Sequence, residues 1–264
     1  GIYNERIVAV GRVETEADQV IDGAGAYAVP GLIDSHIHIE TTLLTPEALG
    51  EVIIPWGTTT LCVDAMEIAN VAGIDGLLAM IKDSEKLPFR LLLEIPSRVP
   101  TAPGLETTGG VLGVEEVTQL LELDEAVSLG ELDPSKVLGM KEEYLEKVLA
   151  SLNRRKICNG HAIGLGVDDL NIYAAGHLSD DHCIYIAFTA AFTDQRPRLG
   201  IMPLIREGSS ERNVDTLVPG IVKDNLPTDN MMFCTDDKHV NDIFKEGHIS
   251  YNVKRSIELG LDPV

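Results

Sequence analysis

GLIDSHIHIE, residues 31–40, carries two histidines two positions apart, His36 and His38, with Asp34 ahead of them. In a strand, alternation puts Asp34, His36 and His38 on one face and Ile33, Ser35 and Ile37 on the other. Two imidazoles so placed can share a metal ion. An acid just behind them can orient a ring by accepting its other N–H. The same residues also fit a polar strand end with satisfied histidines, and the rest of the chain decides between the two.

Working outward, strand and helix signals alternate. Thr45-Pro46 marks a helix start, with Thr as N-cap and Pro at the first helical position. Further strands are read at 58–66, 90–100, 126–132, 156–162, 177–183, 198–208 and 230–237. Helices are read from Asn70, over 113–123 and 141–155, from Val167 to Ala175, from Glu211 and around 251–260. The run IYIAFTAAF fits strand or helix by pattern, and topology selects helix. Eight strands with helices between them predict an α/β chain, a closed (β/α)8 barrel, over residues 30–264. Residues 1–29 read as short β segments with turn glycines, a partial β domain. A doubly wound open sheet is the alternative, but no glycine-rich nucleotide fingerprint occurs. The chain opens on Gly1 rather than Met, in mid-pattern, as a fragment or trimmed chain does.

Of the 264 residues, 42 are acidic and 21 basic, a net charge of −21. Such a surface repels phosphate backbones and anionic lipid, which argues against nucleic acid or membrane as partner and favours a small neutral substrate. No apolar run reaches the ~18 residues of a membrane span. Cys62, Cys158, Cys183 and Cys234 stand singly in apolar runs, as free thiols of a reducing cytoplasm do. Homo-oligomerisation is left open.

In such a barrel the chemistry sits at the C-terminal strand ends. Those ends carry His36 and His38, Asp64 and Glu67, Glu131, His161, His182, and Asp236-Asp237. Imidazoles mixed with carboxylates suit Zn²⁺, Mn²⁺ or Fe²⁺ better than a thiolate site would.

The stretches VPGLIDSHIHIE, EIPSRVPTAPGLETTGG, NGHAIGL, LIREGSSERN and FCTDDKHVNDIFKEGHI together resemble the amidohydrolase superfamily, specifically its adenine deaminases. The resemblance implies two divalent metal ions: a first held by His36, His38 and Asp236, a second by His161 and His182, with Glu131 bridging. It implies hydrolysis of adenine, a purine base, to hypoxanthine and ammonia. Beside it stands the chemistry: paired metals can lower the pKa of a water towards about 7, and Asp236 is placed to move its proton. Arg206, Glu207 and Asp64 are assigned to substrate contact, and Glu67 to a substrate contact or proton shuttle.

The chain departs from that pattern at Met66, Arg98 and Cys183, and in the turn GELDPSKVLG. A thioether at 66 and a thiol at 183 replace groups that hydrogen-bond and carry protons, which predicts slow turnover of adenine. Two alternatives are a related hydrolase of another amino-purine or cyclic amide, and a metal-binding homologue that has lost catalysis.

Overall fold

The structure, a computed structural model, describes residues 1–176, 178–181 and 196–263. It falls into two units, Gly1–Pro30 and Gly31–Val264. In the first, β1 (Ile2–Tyr3) and β2 (Arg6–Ile7) pair antiparallel. Asn4 and Glu5 between them both take positive φ, 47° and 62°, as a two-residue turn matched to strand twist requires. Among the described residues of this unit there is no further strand.

In the second unit every described strand runs parallel to its neighbour. Five, β3 (Leu32–Ile37), β4 (Thr58–Asp64), β5 (Arg90–Pro96), β6 (Ala126–Leu132) and β7 (Ile157–Gly160), pair in chain order. Three more, β8 (Asp180–Asp181), β9 (Met202–Arg206) and β10 (Met232–Cys234), also pair in order. Parallel bridges join the two sheets on both flanks, Cys158 to Leu178 and Ile37 to Asp236. At the second seam the Asp236 N–H donates to His36 O at 2.9 Å, and the His38 N–H donates to Asp236 O at 3.1 Å. The ring is closed, as the alternation predicts.

The described helices are α1 (Pro46–Ile53), α2 (Met66–Ser84), α3 (Val114–Leu120), α4 (Pro134–Leu138), α5 (Glu142–Asn153), α6 (Val167–Ala175), α7 (Val214–Lys223), α8 (Val240–Glu246) and α9 (Ile249–Glu258). Strand alternation sorts the barrel into two environments. Leu61, Val63, Leu91, Leu93, Ile95, Leu129 and Cys158 belong to one buried apolar cluster together with residues of α1 to α6. The alternate positions Asp34, His36, Asp64, Glu94, Ser128 and Asn159 are buried as well, but polar. Both strand faces are therefore closed to water, and the polar face has to satisfy itself. A smaller apolar cluster joins Ile205 of β9 to Val214, Leu217, Val218 and Ile221 of α7.

Several boundaries differ from the pattern-based reading. Helix α2 starts at Met66, not Asn70, because a group remote in sequence caps it. Ala65 offers no capping side chain, and Glu40 Oε1 accepts from the Ile68 N–H at 3.0 Å instead. The helix is broken at Gly73, whose φ is 63°. The strand expected over 198–208 shortens to Met202–Arg206, and within the one expected over 177–183 Asp180–Asp181 form β8, with 177, 182 and 183 outside the described residues. Short helices α4 and α8 were not foreseen; α4 is capped by Asp133, which accepts from the Ser135 N–H at 2.8 Å, with Pro134 following. IYIAFTAAF lies outside the described residues. Among those described, no helix is long and apolar enough to cross a membrane.

Candidate metal centre

His36 lies near the end of β3 on its inward face, and His38 follows just past the strand; both are buried. Each ring has its Nδ1 occupied. His36 Nδ1 lies 2.5 Å from Glu94 Oε2, and His38 Nδ1 lies 2.9 Å from the Asp64 carbonyl oxygen. With Nδ1 of each ring so engaged, the two Nε2 atoms face a common space. There His38 Nε2 stands 3.2 Å from Glu131 Oε1 and 3.9 Å from Asp236 Oδ1, and His36 Nε2 stands 3.8 Å from Glu131 Oε1. His161 Nε2 reaches the same Glu131 oxygen at 3.4 Å.

Two of these acids owe their aim to unusual backbone. Glu131 has φ +40° and Asp236 φ +57°, a left-handed region that costs a non-glycine residue roughly 1–3 kcal/mol. Regular alternation in β6 would turn Glu131 outward, away from the face of Ser128. Instead the β6–β7 register shifts between Leu129 and Leu132, and the irregularity re-aims the carboxylate inward. Gly130, just before it, leaves room for Asp64: a Cβ there would lie 2.2 Å from Asp64 Oδ2.

The electrostatics suit a cation. Burial raises the Asp64 carboxyl well above its ordinary range, and lifts Glu94 to about 8 and Asp236 to about 7. Burial drives the His36 imidazole well below its usual value, with the neighbouring His38 adding to the effect. For His38 burial acts in the same direction, yet hydrogen bonds with Glu131 and Glu67 raise it well above that value. Acids so crowded and desolvated ionise together only if positive charge joins them. The histidine pair with Glu131, and His38 with Asp236 and Asp237, each bring ligand atoms within 4.8 Å of one another. The donor set at the first metal position fits a divalent ion of the Zn²⁺, Mn²⁺ or Fe²⁺ kind.

The other sequence-assigned residues divide. Glu67, at the start of α2, puts Oε2 3.3 Å from His38 Nδ1 while its side chain stays 39% exposed. Arg206 Nη1 pairs with Asp236 Oδ2 at 2.7 Å, and its Nη2 with Asp237 Oδ2 at 3.2 Å. Glu207 faces elsewhere: it accepts from the Val214 N–H at the head of α7 and pairs with Arg212 at 3.3 Å. Asp64 has no exposed surface. His182 and Cys183 lie outside the described residues.

One expectation is corrected. Asp34 does not orient a histidine ring of the pair. Its carboxylate accepts from the Thr235 N–H at 3.0 Å and from the Thr235 hydroxyl at 2.5 Å, tying β3 to the segment that carries Asp236. The orienting acid is Glu94, which the sequence reading missed. Its signal was a lone acid at an inward position of the apolar strand RLLLEIP. Arg98, read only as a departure, donates through Nη2 to Glu131 Oε2 and lies 3.3 Å from His161 Nε2.

This chain is 60% identical over its whole length to an adenine deaminase of Desulforamulus reducens, of which it covers 44%. It is 42% identical over 98% of its length to an adenine deaminase of Desulfitobacterium hafniense, again covering 44%. It thus spans under half the length of these curated relatives. Among solved structures, a TatD homologue from Escherichia coli matches with a TM-score of 0.57 at 15% identity, over 86% of this chain and 89% of that one; this likeness concerns the fold alone. The model of the Amidohydrolase family matches residues 27–256. A closed parallel barrel bearing a histidine pair on its first strand and acids on later ones agrees with that match, and the chain belongs to the amidohydrolase family.

Proposed function

We propose that the chain carries the catalytic barrel of a metal-dependent hydrolase that converts adenine and water to hypoxanthine and ammonia. The observation that supports it most is the convergence of His36, His38, Glu131 and Asp236 in one buried cluster, in a chain whose named relatives are adenine deaminases. His36, His38 and Asp236, with Glu131, would hold the first ion. A bound divalent ion lowers the pKa of a water towards about 7 and so makes a nucleophile available at neutral pH. Of the second ion's expected ligands, Glu131 and His161 meet in this cluster and His182 falls outside the described residues; the reading needs only the first ion.

The chain's own groups manage protons. Asp236, with one oxygen held by Arg206 and the other facing His38, takes a proton from the attacking water as carbon 6 of the purine is hydrated. The leaving amine must gain that proton to depart as ammonia. Glu67, beside His38 and partly exposed, is the group that can relay it from the substrate side. Residues 1–29 are read as part of a β domain and residues 30–264 as the barrel. Cys62, Cys158 and Cys234, which stand singly in the sequence with no C-x-x-C spacing, fit a cytoplasmic setting.

The full chain, reconstituted with Mn²⁺, is expected to release ammonia and hypoxanthine from adenine in equal amounts. A metal-loaded chain that releases none from adenine, but does so from another amino-purine or a cyclic amide, would replace the substrate. Release from none of them would leave a non-catalytic metal protein.

A further inference from the structure

The fully buried Lys147 does not belong to the cluster, yet it bears on it. Its Nζ donates to Ser97 O at 3.0 Å, to Leu112 O at 2.8 Å and to Glu143 Oε1 at 2.6 Å. Ser97 in turn donates its N–H to Gly130 O at 3.3 Å and its hydroxyl to Glu131 O at 3.1 Å. The residue before Arg98 is thus pinned to the backbone of the strand that bears Glu131. From this fixed base Arg98 sends its guanidinium inward, leaving the side chain 19% exposed.

Glu131 is shared between two kinds of partner. Its Oε1 faces His36, His38 and His161, and its Oε2 is taken by Arg98 Nη2. The same Nη2 lies 3.3 Å from His161 Nε2. A guanidinium nitrogen can only donate, so His161 meets it with the lone pair that a metal would need. Of the ligands that a second ion would draw from the described residues, both are therefore engaged by one side chain. We propose that the guanidinium of Arg98 takes the place of the second metal ion, so that this chain binds a single ion.

The inference rests on the metal-hydrolase reading but concerns only the second position. A carboxylate that bridges two cations keeps its role when one of them is organic: the charge on Oε2 is still balanced. The position is not equivalent, because an arginine stays protonated at all working pH and cannot activate water as an ion does.

The test is metal stoichiometry. The full chain is loaded with excess Mn²⁺, passed through a desalting column, and its manganese counted by mass spectrometry. Electron paramagnetic resonance then separates an isolated ion from a spin-coupled pair. One ion with an isolated-ion spectrum is expected. The variant Arg98→Ser should gain a second ion and the coupled signal, and Arg98→Lys, which retains a cation, should remain at one. Two coupled ions in the unaltered chain would overturn the proposal while leaving the hydrolase reading intact, and so would an Arg98→Ser variant that folds and stays at one. A folded, unaltered chain that retains no ion would instead sink the metal reading itself. The unaltered chain decides even if Arg98→Ser fails to fold.

Discussion

Replacing Glu94 by Gln tests whether the centre depends on the group behind His36. Glu94 Oε2 accepts from His36 Nδ1–H at 2.5 Å, and its Oε1 accepts from Asn159 Nδ2 at 3.1 Å and from the Ser128 hydroxyl at 3.4 Å. Gln matches Glu in size, so the apolar packing around it survives. What changes is charge and hydrogen-bond polarity. If the amide oxygen turns to His36, its NH₂ meets Asn159 Nδ2 donor to donor; if it turns the other way, it confronts Nδ1–H. Either arrangement weakens the hold on the ring and makes its Nε2 a poorer ligand. Loss of such a supporting partner typically costs about 10–100-fold in metal affinity, which is about 1.4–2.7 kcal/mol. Competition against a chromophoric chelator at neutral pH measures this directly, with circular dichroism as the check on folding. A folded Glu94→Gln chain whose metal Kd stays within about twofold of the parent would refute the assignment; a fall in melting temperature alone would mean that Glu94 serves only the barrel interior.

Four further outcomes are expected. Glu131→Gln should lower turnover by at least about tenfold, as loss of a metal-facing carboxylate does, and near-normal steady-state rates would remove Glu131 from the site. Gly130→Ala drives a methyl into the Asp64 carboxyl and should destabilise the fold by about 1–3 kcal/mol in urea titrations; an unchanged midpoint would contradict the close approach. Metal uptake should expel protons below about pH 7, where burial keeps Asp236 protonated. Affinity should therefore fall as pH drops, and calorimetry in buffers of different ionisation enthalpy reads the release. Finally, His248 is buried with its pKa lowered from 6.5 to about 3. The unfolded chain takes its proton first, so this contribution is complete above 6.5 and is lost as pH falls towards 3, by up to about 1.4 kcal/mol per pH unit. Denaturant titrations of His248→Gln should show a shallower acid limb than the parent, and an identical slope would count against it.

The barrel was legible because its signal is redundant. Strand and helix alternate many times, and a shifted boundary at α2 or a shortened β9 leaves the count of units unchanged. The site was legible where it follows the period of the strand, as at His36, or where a group ends a strand, as at His161. Glu131 meets the two histidines although alternation in β6 points it outward; a backbone irregularity invisible in the sequence brings it in. Glu94 rather than Asp34 meets the His36 ring for a related reason. Period two says which residues share a face, but which inward acid meets which histidine depends on the stagger between neighbouring strands. Asp64 pairs with Glu94 in register, and Glu94 with Ser128, so the third strand, not the first, reaches Nδ1. Arg98 was noticed as unusual, and only its extended side chain shows what it meets.

The placement of the ligands also explains how the fold and the centre depend on each other. His36 and His38 stand at one lip of a seam, Asp236 at the other, and the seam is held by the Ile37–Asp236 bridge and by Thr235 donating to Asp34. These partners lie about 200 residues apart in the chain, so closing the seam requires ordering everything between them, at an entropic cost that grows only slowly with length. The left-handed Asp236 and the buried acid cluster both oppose that closure. An ion held by His36, His38 and Asp236, the ligands proposed for it, would act across both lips at once, adding positive charge among the buried acids and tying Asp236 to the histidine pair. A metal that binds only the closed ring stabilises that ring by mass action. On the proposed assignment the centre would be a clasp on the barrel as well as the seat of its chemistry, which would account for the costly left-handed backbone at Glu131 and Asp236.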